Sequence, residues 1–216
     1  MRVNFLLTLL VILLSLTACG KVANSPNSVN IAVQKHESSP EGVYRMVLTS
    51  AGPEVEKASG AGIIKIDEEK IAVNLKMINL PKRTKLYQFI NTAGECPKKE
   101  HDTNQDGIID LQESQKVAGE ILIPLDSELT NQAEASGEMP VSDSQGFYAY
   151  SEEAQWDVFV KDLRSAINET PTSLNYLKLS TRSVLILKDI TTGEDLRPQG
   201  GMLMACGKIV KIQEEE

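Results

Sequence analysis

The residues best suited to chemistry are Asp102-Thr103-Asn104-Gln105-Asp106-Gly107-Ile108-Ile109-Asp110-Leu111-Gln112-Glu113. They meet the calcium-loop pattern D-x-[DN]-x-[DN]-G-x₅-E at every defined position. Ca²⁺ is a hard cation that takes six to eight oxygens at about 2.3–2.6 Å. Asp102, Asn104 and Asp106 offer side-chain oxygens from alternate positions, and Gly107 permits the sharp turn. Ile108 would add its backbone carbonyl, Asp110 a carboxylate or a bound water, and Glu113 a bidentate carboxylate. An Asp/Asn/Gly-rich surface turn is the plainer alternative. It accounts for the glycine and two acids, but for neither Glu113 at the twelfth position nor Ile109 at the eighth. His101 precedes the loop, and as a single histidine beside acids it reads as solvated.

The positions around this stretch suggest where it works. Met1-Arg2-Val3-Asn4 precedes an apolar run from Phe5 to Leu16. One basic residue and about a dozen apolar ones have the shape of a secretory leader, shorter than the roughly 20 residues of a membrane span. The run ends Leu16-Thr17-Ala18-Cys19-Gly20, which resembles a bacterial lipobox. That resemblance implies cleavage before Cys19 and a lipid on its thiol; an ordinary signal peptide or a short anchor helix is the alternative. Gly20, rather than Asp, implies the outer membrane if the cell is Gram-negative.

Removing 18 of the 216 residues leaves 198, enough for one domain with a core. Loss of Arg2 takes the net charge from −8 to −9, which argues against nucleic acid as a partner. Cysteines stand at 19, 96 and 206. With Cys19 lipidated in an oxidising compartment, an even pair remains, and a Cys96–Cys206 disulfide is expected. Two buried free thiols are the alternative.

Stepping outward, the elements that must hold the loop are strands. Residues 19–42 are rich in Ser, Asn, Pro and Gln and read as a flexible tether. From residue 43 to 212 short strands recur: Val43–Thr49, Gly60–Ile66, Ile71–Met77, Lys85–Ile90, Glu120–Leu125, Gly146–Tyr150, Tyr176–Leu179, Ser183–Leu187 and Leu203–Val210. Their spacing points to an all-β sandwich or barrel. Pro124 places its strand at an edge or an end. Trp156, Phe159, Val160, Leu163 and Ile167 recur at helical spacing behind Ser151, Glu152 and Glu153, predicting one amphipathic helix capped there. Residues 213–216 form an acidic tail. Asn168-Glu169-Thr170 matches a glycosylation sequon without consequence for a bacterial lipoprotein.

Three segments together resemble the copper/zinc superoxide dismutase family. Asn91-Thr92-Ala93-Gly94-Glu95-Cys96 is similar to its Asn-Thr-Ala-Gly-Cys, with Glu95 inserted. Ala205-Cys206-Gly207-Lys208-Ile209 is similar to its closing Ala-Cys-Gly-Val-Ile, and Thr181–Leu187 to a strand carrying a copper histidine. The resemblance covers about residues 43–212; the chordin-type (CHRD) domain is an equally acceptable label. It implies a Greek-key antiparallel β-sandwich and the same Cys96–Cys206 pair. It does not carry the copper chemistry, because the matched ligand positions hold Lys85, Tyr87 and Leu187, and Leu203 stands for the substrate-guiding arginine. With His36 and His101 the only histidines, a site built on imidazoles cannot be assembled. No catalytic residue is assigned.

These readings converge on a lipid-anchored, extracytoplasmic, non-enzymatic domain of the bacterial envelope. It would carry one structural Ca²⁺, meet the membrane through the lipid on Cys19, and bind an envelope protein or ligand. An enzyme, either a residual dismutase or a hydrolase, is the alternative, and a calcium-responsive adhesion module is another. Against a sensor, Cys96-Pro97 interrupts any helix leading into the loop, and the loop reads as one without helices.

Overall fold

The computed structural model describes residues 40–51, 57–129, 138–166, 177–188 and 201–213. The leader, Cys19, nearly all of the tether, Ile167, the sequon, Tyr176 and the terminal glutamates lie outside them. Among the described residues no helix is long and apolar enough to cross a membrane.

Eight antiparallel strands form one sheet: β1 (Gly42–Ser50), β2 (Ser59–Ile66), β3 (Lys70–Ile78), β4 (Leu86–Asn91), β5 (Ile121–Pro124), β6 (Tyr148–Gln155), β7 (Ser183–Lys188) and β8 (Met202–Lys211). They lie in the order β5-β4-β7-β8-β1-β2-β3-β6. Two helices accompany them, α1 (Leu111–Ala118) and α2 (Trp156–Ala166). The two ends of the sheet meet across its interior. The Tyr148 hydroxyl on β6 donates to Gln88 Oε1 on β4, and the Tyr150 hydroxyl donates to the Asp126 carbonyl just after β5 at 2.9 Å. Gln88 passes the connection on, its Nε2 donating to the Leu125 carbonyl at 2.6 Å. A flat sheet would hold its outermost strands far apart, so these bonds require the sheet to curl. Burial pushes both phenols well above their usual pKa of 10, keeping them neutral donors.

Burial along the strands divides the sheet into two halves. In β1, β2 and β3 buried and exposed residues alternate, as when one face of a sheet meets water. Met46, Leu48, Ile64, Ile71, Val73, Leu75 and Met77 point into the main core. β4 and β7 are buried along almost their whole length, as is the first part of β8. Their continuous apolar runs arise because both faces are covered. Pro124 lies on the edge strand β5, where its missing N–H costs no ladder bond.

Three sequence expectations are corrected. Ser151, Glu152 and Glu153 do not cap a helix; they belong to β6, paired with Asn74, Val73 and Ala72. The strand runs on because β3 offers partners as far as Lys70, which faces Gln155. There the ladder ends, and α2 begins with the Trp156 N–H donating to the Glu69 carbonyl at 2.8 Å. The helix does bury Phe159, Val160 and Leu163, with Trp156 stacked on Phe159 at 5.8 Å. The described part of Tyr176–Leu179 is not a strand: Leu179–Thr181 is a 3₁₀ turn. The loop is not without helices, because its last three residues open α1.

Candidate metal centre

The outward face of β4, β7 and β8 carries Tyr87, Phe89, Leu185, Leu187 and Leu203, all buried. Residues 92–118 cover it, and Ile109, Leu111 and Ala118 pack into the same apolar cluster. The cover is fastened along its length. Thr92 N–H donates to the Glu120 carbonyl at 2.9 Å and Ala93 N–H to the Ala118 carbonyl at 2.7 Å. From β7, the Ser183 hydroxyl donates to the Ala93 carbonyl at 2.8 Å, and Arg182 donates to the Thr92 carbonyl. Cys96 is joined to Cys206 of β8 by a disulfide, Cα–Cα 5.6 Å, spanning 110 residues. At the middle of the loop the Leu203 N–H of β8 donates to the Ile109 carbonyl at 2.8 Å. Ile109, the residue that an ordinary surface turn left unexplained, is thus the apolar plug that seats the loop on the sheet.

Within the loop, side chains fold back on backbone N–H groups. Asp102 Oδ2 accepts from Gly107 at 2.9 Å, Asn104 Oδ1 from Asp106 at 3.0 Å and Asp106 Oδ1 from Ile108 at 2.8 Å. The other Asp106 oxygen takes the Asn104 amide at 2.9 Å. Gly107 has φ +86°, with open space where a Cβ would stand. The glycine there serves conformation, not packing. Asp110 is the N-cap of α1 and accepts from the Glu113 N–H at 2.8 Å, while Glu113 Oε2 accepts from Asp110 at 3.2 Å, a reciprocal capping box.

Glu113 is 3% exposed. Its Oε1 accepts from the Thr103 N–H at 2.6 Å, the Thr103 hydroxyl at 2.7 Å and the Asn104 N–H at 3.3 Å. Burial works to raise its pKa, but the bonds from Thr103, Asp110 and Asn104 together outweigh burial and hold it below the usual value. Asp102 Oδ1 is shut off from solvent and has no hydrogen-bond partner.

The fold thus gathers Asp102, Asn104, Asp106, Ile108, Asp110 and Glu113 into one turn followed by one helix. It does not converge their carboxylates on a point: among the described residues no three His, Cys, Asp or Glu side chains form a metal-holding group. Thr103, passed over by the sequence pattern because its position is unrestricted, is the main partner of Glu113. His101 accepts from the Lys98 N–H through Nδ1 at 2.9 Å and ends a 3₁₀ turn, Lys99–His101.

The positions that the dismutase resemblance sets against copper ligands and against the substrate-guiding arginine come together, although they are far apart in sequence. Tyr87 pairs with Leu187, and Leu187 with Leu203. All three are buried in the apolar cluster, and the Lys85 ammonium lies 5.5 Å from the Tyr87 ring centre. Compared with known proteins, the chain matches no family model and no curated sequence.

Proposed function

We propose that this chain is a lipid-anchored, extracytoplasmic binding or structural domain in which one Ca²⁺ stabilises the long cover over β4, β7 and β8. The observation that carries the calcium reading is Asp102 Oδ1, a carboxylate oxygen closed to solvent and without a hydrogen-bond partner. A buried, unpaired charged oxygen is costly, and a cation beside it would remove that cost. The donor set is all oxygen and suits a hard cation. Asp102, Asn104, Asp106, the Ile108 carbonyl, Asp110 and Glu113 would hold it, giving up some of the bonds they now make to the loop backbone. Bound there, Ca²⁺ would supply positive charge at four carboxylates and fix the loop against the sheet. The exit helix and the capping box give Glu113 a rigid mount for that role.

A Greek-key sandwich of superoxide dismutase type is supported by β6, which follows β4 and β5 in the chain but returns to pair with β3. The meeting of Tyr87, Leu187 and Leu203 favours the same alignment. It also favours a non-enzymatic reading, since buried apolar side chains occupy the places where metal ligands and a substrate-steering charge would stand. Secretion and lipidation rest on Phe5–Cys19.

Two experiments test the two halves. Thermal melts at rising Ca²⁺ should show a higher midpoint for the parent and almost no change for Glu113→Gln; equal responses would refute the loop assignment. Tritiated palmitate fed to bacteria expressing the chain should label the parent and not Cys19→Ser.

A further inference from the structure

Charge is segregated on this molecule. Strands β1, β2, β3 and β8, of 9, 8, 9 and 10 residues, contain six basic residues and no Asp or Glu. Of the chain's 22 Lys and Arg, that leaves 16 elsewhere to meet all 30 acids. Strand alternation brings Arg45, Lys65, Lys76 and Lys208 to the outward face, where all four are exposed. Val47 and Val210 lie among them, 66% and 50% exposed. Arg45 stands opposite both Ile63 and Val210, Val47 opposite Ala61, and Ala61 opposite Lys76. Apolar positions and cations therefore alternate across the face, Arg45 between Val210 and Ile63 and Lys76 beside Ala61. Among the described residues none of the four cations makes an ion pair, whereas Lys70 at the margin is held by Glu153 at 2.9 Å. A shallow depression of about 440 Å³ opens between Arg45, Val47, Thr49, Lys208 and Val210.

A solvated sheet face ordinarily mixes both signs of charge. Exclusion of every acid from four strands of an acidic chain calls for an anionic counterpart. We propose that this face docks on the surface of an anionic phospholipid bilayer. The face is a broad sheet surface, and a bilayer is a broad partner. Cations near an anionic leaflet contribute roughly fivefold each to partitioning, and Val47, Ile63 and Val210 can enter the interfacial layer between them. The attraction acts within a Debye length, about 10 Å at 0.1 M salt. The chain between Cys19 and Gly42, fully extended, spans roughly 70 Å, so a lipid on Cys19 would let β1 reach the same membrane. That last argument rests on the lipid-anchor reading; the charge argument stands without it.

The test uses the full chain carrying Cys19→Ser, so that no lipid contributes. Sedimentation with vesicles of phosphatidylglycerol mixed into phosphatidylcholine is compared with vesicles of phosphatidylcholine alone. The leader, with its own Arg2, is common to all proteins tested, so the patch and control variants are compared against one background. Binding should favour the anionic vesicles and weaken with salt. Combined Arg45→Gln, Lys65→Gln, Lys76→Gln and Lys208→Gln should lower it roughly six hundredfold, four factors of about five. The control Lys57→Gln, Lys82→Gln, Lys99→Gln and Lys116→Gln should lower it far less. If the fourfold patch variant melts well below its parent, Lys76→Gln and Lys208→Gln alone should each cost roughly fivefold. No preference for anionic vesicles, or equal losses in patch and control variants, would each overturn the proposal. Palmitate labelling still decides the Cys19 assignment in any of those cases.

Discussion

Two carboxylates illustrate what a single side chain does here. Asp143 holds a tight turn: Oδ1 accepts from Gln145 at 2.7 Å and from Phe147 at 2.8 Å. The bonds from Phe147, then Gln145, hold its pKa below 3.8. A depressed carboxylate stabilises the fold above its unfolded pKa, and the contribution is lost as pH falls through the folded value. Asp143→Asn should therefore lower stability near neutral pH and flatten its decline below about pH 4, read by urea titration at several pH values. A decline as steep as the parent's would mean that Asp143 is not responsible. In the same turn Gly146 has φ +81°, and an added Cβ would lie 2.2 Å from the Leu80 carbonyl oxygen. Gly146→Ala should cost about 1–3 kcal/mol, measured by the same titration. Asp102 is the opposite case, with one oxygen on Gly107 and the other on nothing. Asp102→Asn should blunt the response to Ca²⁺ and raise the metal-free melt, because the uncompensated buried charge is removed. The pattern in the sequence showed which residues could ligate. It could not show that Thr103, at an unrestricted position, would be the partner of Glu113, nor which oxygen would be left over.

At the scale of elements, the cover over β4, β7 and β8 is held by the Cys96–Cys206 disulfide, the Ile109 plug and hydrogen bonds from Arg182, Ser183 and Leu203. In the chain-entropy account, a link closing 110 residues contributes about 4–5 kcal/mol. Cys96→Ala with Cys206→Ala should lower stability by an amount of that order, and a loss below about 1 kcal/mol would place the cover's stability elsewhere. Ile109→Ala, at 4% exposure, should cost about 2–5 kcal/mol and weaken Ca²⁺ binding, because the same residue seats the loop. Strands β1, β2 and β3 were legible because one wet face leaves its alternation in the residue order. The disulfide was legible from counting. The end of β6 was not: Ser151 to Gln155 continue as strand only because β3 supplies partners that no local pattern reveals. Leu177 and Leu179 gave an apolar rhythm that a 3₁₀ turn satisfies equally well by burying both. α1 was missed because Asp110 and Glu113 were read only as ligands, although the same pair forms a capping box.

In the whole molecule a curled antiparallel sheet carries a cover stapled to the outward side of β4, β7 and β8, and strands free of acids on the other half. Tyr87 and Leu187, which the dismutase resemblance sets against copper ligands, and Leu203, which it sets against the substrate-guiding arginine, lie in one apolar cluster and offer no side-chain nitrogen. Protein equilibrated with copper and zinc should therefore accelerate superoxide decay no more than the free metals do; a stoichiometric, chelator-resistant copper with higher turnover would break the alignment. Calcium, by contrast, should act on the whole fold through the cover. At ten times Kd it would add about 1.4 kcal/mol, raising the melting midpoint by roughly 3–5 °C for a domain of this size. The most direct test is calorimetric titration of the disulfide-bonded protein with Ca²⁺. One site with Kd on the order of 10⁻⁴–10⁻³ M or tighter, lost in Glu113→Gln, is the predicted result. No heat, no saturation, or an unchanged isotherm in Glu113→Gln would contradict it.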